Sequence, residues 1–104
     1  MKNISSKNNS IFKNISKLLF KNNKRKASNS FIVEGIKDIN LCLNYGFEFI
    51  EIIICSELIS NQNINYIDTN FNNVVVYNFS LKLYQELIYK KKGDGLLALI
   101  KSKD

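Results

Sequence analysis

With 104 residues and an apolar fraction of 45%, the chain has room for a single packed core. Lysine and arginine number 15 against 9 acidic residues, which gives a net charge of +6, and histidine is absent. The lack of histidine removes the most common general base and the most common zinc ligand, which argues against hydrolytic and zinc-dependent functions.

The charges are distributed unevenly along the chain. Residues 1–33 carry eight cationic side chains and no acid, residues 34–89 carry seven acids and two lysines, and residues 90–104 are again basic. Such asymmetry favours an anionic partner, nucleic acid first and a membrane surface second. A general bias towards lysine would account for the number of lysines, but not for the absence of acids before Glu34.

In chain order, residues 1–9 are predicted to form a disordered basic arm and residues 10–104 a single domain. Ile11, Ile15, Leu18 and Leu19 share one stripe of a helix for which Asn9 or Ser10 is the N-cap. A second stripe of this helix consists of lysines spaced by four or three residues: Lys13, Lys17, Lys21 and Lys24. Arg25 and Lys26 extend that stripe, and together these cations suit phosphate contacts.

The remainder of the chain alternates between strands and helices. Strands are predicted at 31–33, 49–55, 74–77 and 96–100. Helices are predicted from Ile36 to a stop at Gly46, over the short segment 56–59, and from Ser80, with a short helix and loops over 60–73. This alternation predicts the α/β class, with about four strands in a mixed or mostly parallel sheet covered by helices on both faces.

Two turns are further candidates for RNA contacts. Glu34-Gly35 joins the first predicted strand to the helix that follows it. In a functional interpretation, the glycine lets RNA approach the backbone. In a structural one, the glycine simply permits the turn and Glu34 caps the helix. Lys90, Lys91 and Lys92 precede a glycine-bounded turn that either forms a basic finger beside RNA or is a solvated loop.

The sequence offers little for catalysis or for metal binding. Cys42 and Cys55 are too far apart for a metal knuckle or a redox pair, and we interpret them as buried, inert thiols in a reducing, cytoplasmic protein. Glu48 and Glu51 lie three residues apart in a predicted strand and so point to opposite faces. No signal peptide or membrane-spanning segment is predicted.

Three segments together resemble the N-terminal substrate-binding domain of the SpoU (TrmH-type) RNA 2′-O-ribose methyltransferases, of the SPOUT class. They are the basic run 24–26, the string Phe-Ile-Val-Glu-Gly at 31–35, which is similar to F-x-V-E-G, and the string Gly-Leu-Leu-Ala-Leu-Ile-Lys at 95–101, which is similar to the family's closing strand. The loop before Gly95 departs from the family, because it has Gly93-Asp94 in place of Pro-Gln.

The resemblance implies a three-layer α/β/α sandwich of the kink-turn-binding ribosomal-protein type that helps to recruit ribosomal RNA or tRNA. In the family, a knotted domain that binds S-adenosylmethionine, dimerises and carries out catalysis follows this one. Only residues 102–104 follow Lys101 here. We therefore expect this chain alone to be inactive and monomeric, without cofactor or metal.

Two other functions stay open at this stage. The first is a stand-alone RNA-binding or ribosome-associated protein, or a decayed remnant, without an attached enzyme. The second is a protein-interaction module that presents the acidic middle of the chain, Glu48, Glu51 and Glu57, to a partner.

Overall fold

The structure is a computed structural model, and it describes residues 1–21, 28–88 and 93–103. The described residues form five strands: β1 (Lys2–Ile4), β2 (Ser30–Glu34), β3 (Phe49–Ile54), β4 (Val75–Phe79) and β5 (Leu96–Lys101). They also form four helices: α1 (Ser10–Phe20), α2 (Ile36–Asn44), α3 (Asn61–Asn70) and α4 (Leu81–Leu87).

The five strands make one mixed sheet in the order β1-β4-β3-β5-β2. β3 and β4 are parallel, as a connection through a helix such as α3 allows, and β1 is parallel to β4. β5 is antiparallel to both of its neighbours, β3 and β2. The predicted mixed α/β sheet is therefore confirmed, with one strand more than expected.

Successive side chains of a strand point to opposite faces of the sheet, so a continuous apolar strand such as β3 presents apolar side chains on both faces. Helices cover both of these faces. In β3, Ile53 packs in one apolar cluster with Ile15 of α1 and Leu83 of α4. Its neighbour Ile52 packs on the other face, in a cluster with Ile39 of α2. Ile67 of α3 belongs to that second cluster, so the layers are α1 and α4, the sheet, then α2 and α3.

The disordered arm predicted for residues 1–9 is wrong at Lys2–Ile4, which form β1. The strand pairs with residues 77–79 of β4, and the Ser80 amide donates to the carbonyl of Ile4 over 2.9 Å. Ile4 is 3% exposed and joins the cluster beneath α1 and α4. A single buried side chain and the open edge of β4 thus order a segment that has no apolar pattern of its own.

The helices around β3 also differ from expectation. The segment 56–59 is a single turn, in which the amides of Leu58 and Ile59 both donate to the carbonyl of Cys55. The short helix predicted within 60–73 is present and longer than expected: α3 begins after Ser60, whose hydroxyl accepts from the amide of Asn63 over 3.1 Å. α2 does end before Gly46, as predicted.

Candidate nucleic-acid interface

The position of α1 is set by its cap and by its apolar side chains. Asn9 is the N-cap, and its side chain accepts from the amides of Ile11 over 2.8 Å and Phe12 over 3.4 Å. Phe12, Ile15 and Leu18 are buried against the sheet. The opposite side of the helix therefore faces solvent.

That solvent side carries Lys13, Lys17 and Lys21, all exposed, and we call these three residues the lysine ridge. A spacing of four residues advances the helix by about 6 Å and turns it by about 40°, which places Lys13 and Lys17 on one side of α1. Lys21 is the C-cap residue of α1, and it lines the same surface depression as the other two lysines. No acidic residue occurs before Glu34. The ridge is thus a row of cations with no carboxylate from its own segment to neutralise it.

Phe20 lies beside the lysine ridge and is not among the residues that the sequence predicted to bind RNA. It is seven residues after Lys13, which on a helix places the two about 20° apart. Phe20 is 53% exposed, whereas Phe12, Ile15 and Leu18 of α1 are buried and Ile11 and Leu19 are half-buried. A depression of about 390 Å³ on this side of α1 is lined by Phe12, Lys13, Ser16, Lys17, Phe20 and Lys21. The signal was present in the sequence, because Phe20 falls outside the apolar stripe of the helix.

A second depression, of about 290 Å³, adjoins Phe20 on the side of α4 and is lined by Phe20, Gln85, Glu86 and Ile88. The carboxylate of Glu86 lies 2.6 Å from the ammonium group of Lys7. This ion pair balances the negative charge closest to Phe20, so the surface around the ring does not repel an anion strongly.

The Glu34-Gly35 turn lies at the end of β2, and neither residue lines the depression beside the lysine ridge among the described residues. Gly35 has φ of +92°, a backbone conformation that favours glycine, and its amide donates to the carbonyl of Leu96 over 3.0 Å. The glycine is therefore accounted for by the turn. Its role in RNA contact stays a prediction.

Glu34 does not cap α2, contrary to the structural role that the sequence suggested for it. The cap comes from Asp94, whose Oδ2 accepts from the amide of Ile36 over 2.9 Å. Glu34 instead turns towards the loop before β5: a Cβ added to Gly93 would lie 2.9 Å from its Oε2. A carboxylate at a helix N-terminus satisfies a free amide and the helix dipole, and Asp94 does so from a distant loop.

Tyr84 supports this loop from below. It is fully buried in α4, and its hydroxyl oxygen accepts from the amide of Leu96 over 2.9 Å. Burial raises the pKa of the Tyr84 phenol, and the nearby carboxylates of Glu34 and Asp94 raise it further. The phenol is therefore neutral at physiological pH and has a structural function.

The remaining predicted RNA-binding residues fall outside the described ranges: Lys24, Arg25, Lys26, Lys90, Lys91 and Lys92. The structure thus brings together Lys13, Lys17 and Lys21, as the helical spacing predicted. It places Glu34 and Gly35 at a separate turn.

The acidic middle of the chain is not gathered into one patch. Glu48 precedes β3 and Glu57 follows it, so the two lie at opposite ends of a six-residue strand that is about 20 Å long. Glu51 lies within β3, where burial raises the pKa of its carboxyl group. This arrangement removes the surface on which the protein-interaction hypothesis depended.

The two thiols are free, and Cys55 is fully buried as expected, whereas Cys42 is half-buried. Burial raises the pKa of both thiols, and Asp38 adds to the effect at Cys42. Both are therefore protonated and poorly nucleophilic at neutral pH.

Across the described ranges, no three side chains of the metal-ligating types come together as a metal site would need. None of the helices in the same ranges has the length and hydropathy that crossing a bilayer requires.

Several solved structures share this fold. An RNA 2′-O ribose methyltransferase superposes with a TM-score of 0.83 at 20% identity, over 98% of this chain and 38% of its own. An rRNA methyltransferase from Sinorhizobium meliloti superposes with a TM-score of 0.78 at 17% identity, over 98% of this chain and 37% of its own. The SpoU methyltransferase AviRb from Streptomyces viridochromogenes, in complex with AdoMet, superposes with a TM-score of 0.80 at 18% identity. The superposition covers 92% of this chain and 36% of that protein.

This chain therefore spans somewhat more than a third of each of these proteins. No curated protein sequence matches it. The family model of the MRM3-like substrate binding domain matches residues 8–98, which include all the helices and every strand except β1 and the end of β5. The resemblance derived from the sequence is confirmed, and the chain belongs to the MRM3-like substrate-binding domain family.

Proposed function

We propose that this domain recruits RNA, ribosomal RNA or tRNA, as the substrate of a ribose 2′-O-methyltransferase of the SpoU type. The observation that carries the proposal is the lysine ridge: three exposed lysines on one side of α1, in a segment without acids. Membership of a substrate-binding domain family supports it, because the substrate of the structurally similar methyltransferases is RNA according to their names.

Binding would begin with phosphate groups rather than with bases. Lysine ammonium groups act as point charges for phosphates, and each contact releases counterions from the nucleic acid. Such contacts hold the RNA in place but read no sequence, so selection depends on the shape of the RNA. The affinity should accordingly fall steeply as the salt concentration rises.

The proposal assigns no methyl transfer to this chain. A depression of about 500 Å³ among the described residues is lined mainly by isoleucines and valines, with Lys2, Ser56 and Asp68 as its polar members. This lining does not fit the charged amino-acid end of S-adenosylmethionine, which needs several converging hydrogen-bonding groups. In our proposal the cofactor and the reaction belong to another part of a whole cytoplasmic enzyme.

The double variant K13Q/K21Q tests the role of the lysine ridge. It removes two cations and leaves Lys17, which stabilises the last turn of α1. We expect weaker RNA binding and a plot of log affinity against log salt that is shallower by about 1.4, because each contact to a single strand contributes about 0.7. Fluorescence anisotropy with a labelled RNA at several salt concentrations measures both quantities.

The matched control is K37Q/K101Q, which makes the same change in net charge. Lys37 lies on α2 in the opposite helical layer, and Lys101 ends β5; both are exposed. If the control variant weakens binding as much as K13Q/K21Q, only net charge matters and the lysine ridge is not the binding surface.

A further inference from the structure

Phe20 is an exposed aromatic residue whose position the packing of the described residues does not explain. The preceding residue, Leu19, packs against the cluster beneath α1 and α4, but Phe20 belongs to neither apolar cluster. Exposing half of a phenyl ring to water forgoes a large share of its burial free energy. Single exposed apolar residues are common on protein surfaces, so the significance of Phe20 depends on the groups that lie beside it.

The surroundings of Phe20 are those of a ring that stands between two depressions. On one side it shares a depression with Lys13, Lys17 and Lys21. On the other side it shares one with Gln85 and Glu86 of α4. Cations therefore flank one side of the ring. The exposed side-chain amide of Gln85, which can both donate and accept hydrogen bonds, lies on the other side.

This combination matches an unpaired nucleotide. An exposed aromatic face stacks on a nucleobase, adjacent lysines neutralise the neighbouring phosphates, and an amide can pair with the edge of the base. A base in a duplex is already stacked and paired, so it cannot occupy such a site without leaving the helix. The ion pair between Glu86 and Lys7 lowers the repulsion that a phosphate would meet from the α4 side.

We propose that the surface of α1 binds a single-stranded segment of RNA, with one base stacked on Phe20, its phosphates on the lysine ridge and its edge against Gln85. This inference rests on the proposed function, because it assumes that the lysine ridge binds RNA. It adds that the recognised element is unpaired and that Phe20 distinguishes it from a duplex.

Two RNAs of the same sequence test the proposal: a single strand of about 12 nucleotides, within the range that such sites cover, and the corresponding duplex. For F20A we expect about tenfold weaker binding of the single strand and unchanged binding of the duplex, because stacking on an aromatic residue accounts for about a factor of ten. F20W should restore binding of the single strand, since indole also stacks. Because Phe20 is exposed, the variants should keep the fold, which circular dichroism checks.

Y45A is the matched control. Tyr45 is 67% exposed, follows α2 in the opposite layer, and should be replaceable without effect on either RNA. If F20A binds the single strand like the unchanged protein while K13Q/K21Q is impaired, the stacking site is refuted and the proposed function stands. Equal loss on both RNAs with F20A also refutes stacking. If neither variant is impaired, both proposals fail.

Discussion

Among the glycines, Gly95 leaves the least room for a side chain. Its φ is +71°, and a Cβ added there would lie 2.7 Å from the backbone nitrogen of Ile59 and 3.0 Å from the carbonyl oxygen of Cys55. These backbone atoms cannot move aside easily, because the Cys55 amide donates to the carbonyl of Gly95 over 2.8 Å. Gly95 lets the chain enter β5 directly against the turn that follows β3.

Replacing Gly95 by alanine should destabilise the domain strongly. A positive φ costs an alanine about 1–2 kcal/mol, and the steric clash with backbone atoms adds about 1–3 kcal/mol. Chemical denaturation followed by circular dichroism measures the change in the free energy of unfolding. G46A is the control: Gly46 has φ of +77°, but the nearest atom to an added Cβ is the flexible end of Lys103 at 3.8 Å. Equal losses in the two variants would show that the clash at Gly95 is relieved.

At this scale the sequence predicts a residue's function well only when its partners are close in the chain. The lysine ridge follows from a spacing of four residues, and the structure places Lys13, Lys17 and Lys21 as predicted. Asp94 could not be found in this way, because its partner, the amide of Ile36, is 58 residues away. Phe20 could have been found, because helix geometry alone puts it on the lysine side of α1.

Among the elements, α2 depends on a cap that lies outside its own segment. Its N-cap, Gly35, has no side chain, so the carboxylate of Asp94 accepts from the first helical amide. The loop before β5 thereby fixes the start of α2 and joins two elements that are distant in sequence. This loop carries the Gly93-Asp94 pair, and Asp94 of that pair supplies the cap.

We expect D94A to lower the free energy of unfolding by about 1 kcal/mol, as the loss of a side-chain cap usually does. D94N should lose less, because the amide oxygen still accepts from Ile36. Thermal or chemical denaturation measures both. D38A is the matched control. Asp38 carries the same charge and lies in the first turn of α2, but its side chain makes no hydrogen bond to a described amide of that helix. A loss as large in D38A as in D94A would mean that charge near the helix dipole, rather than the cap, is responsible.

Elements with a strong apolar pattern could be predicted from the sequence, and those without one could not. The four expected strands are present, because each is a short apolar run. α3 was underestimated because asparagine has a low helix propensity, although Ile64, Ile67 and Phe71 have helical spacing. β1 has only Ile4 to mark it, and its pairing with β4 is a property of the tertiary structure.

Across the whole molecule, we expect local stability to fall from the centre of the sheet to the edge at β1. β3 and β5 lie between neighbours on both sides, and the residues of β5 up to Ile100 are all buried. β1 lies at the edge, has three residues and pairs along one side only. Strands with few contacts open at lower free energy than the core, so β1 should be the first strand to detach. The loss of β1 would uncover the edge of β4 and the end of the cluster beneath α1.

The variant I4A tests this gradient. Ile4 is the buried residue of β1, and its carbonyl accepts from the amide of Ser80, so loosening β1 exposes that amide to solvent. We expect native-state hydrogen exchange to show a much larger loss of protection at the Ser80 amide than at the Cys55 amide. The Cys55 amide donates to the carbonyl of Gly95 within the core. I52A is the control, because Ile52 is fully buried in the central strand. Its truncation should destabilise the whole domain and lower the protection of both amides from exchange. Equal loss at Ser80 and Cys55 in I4A would mean that β1 unfolds only with the rest of the sheet.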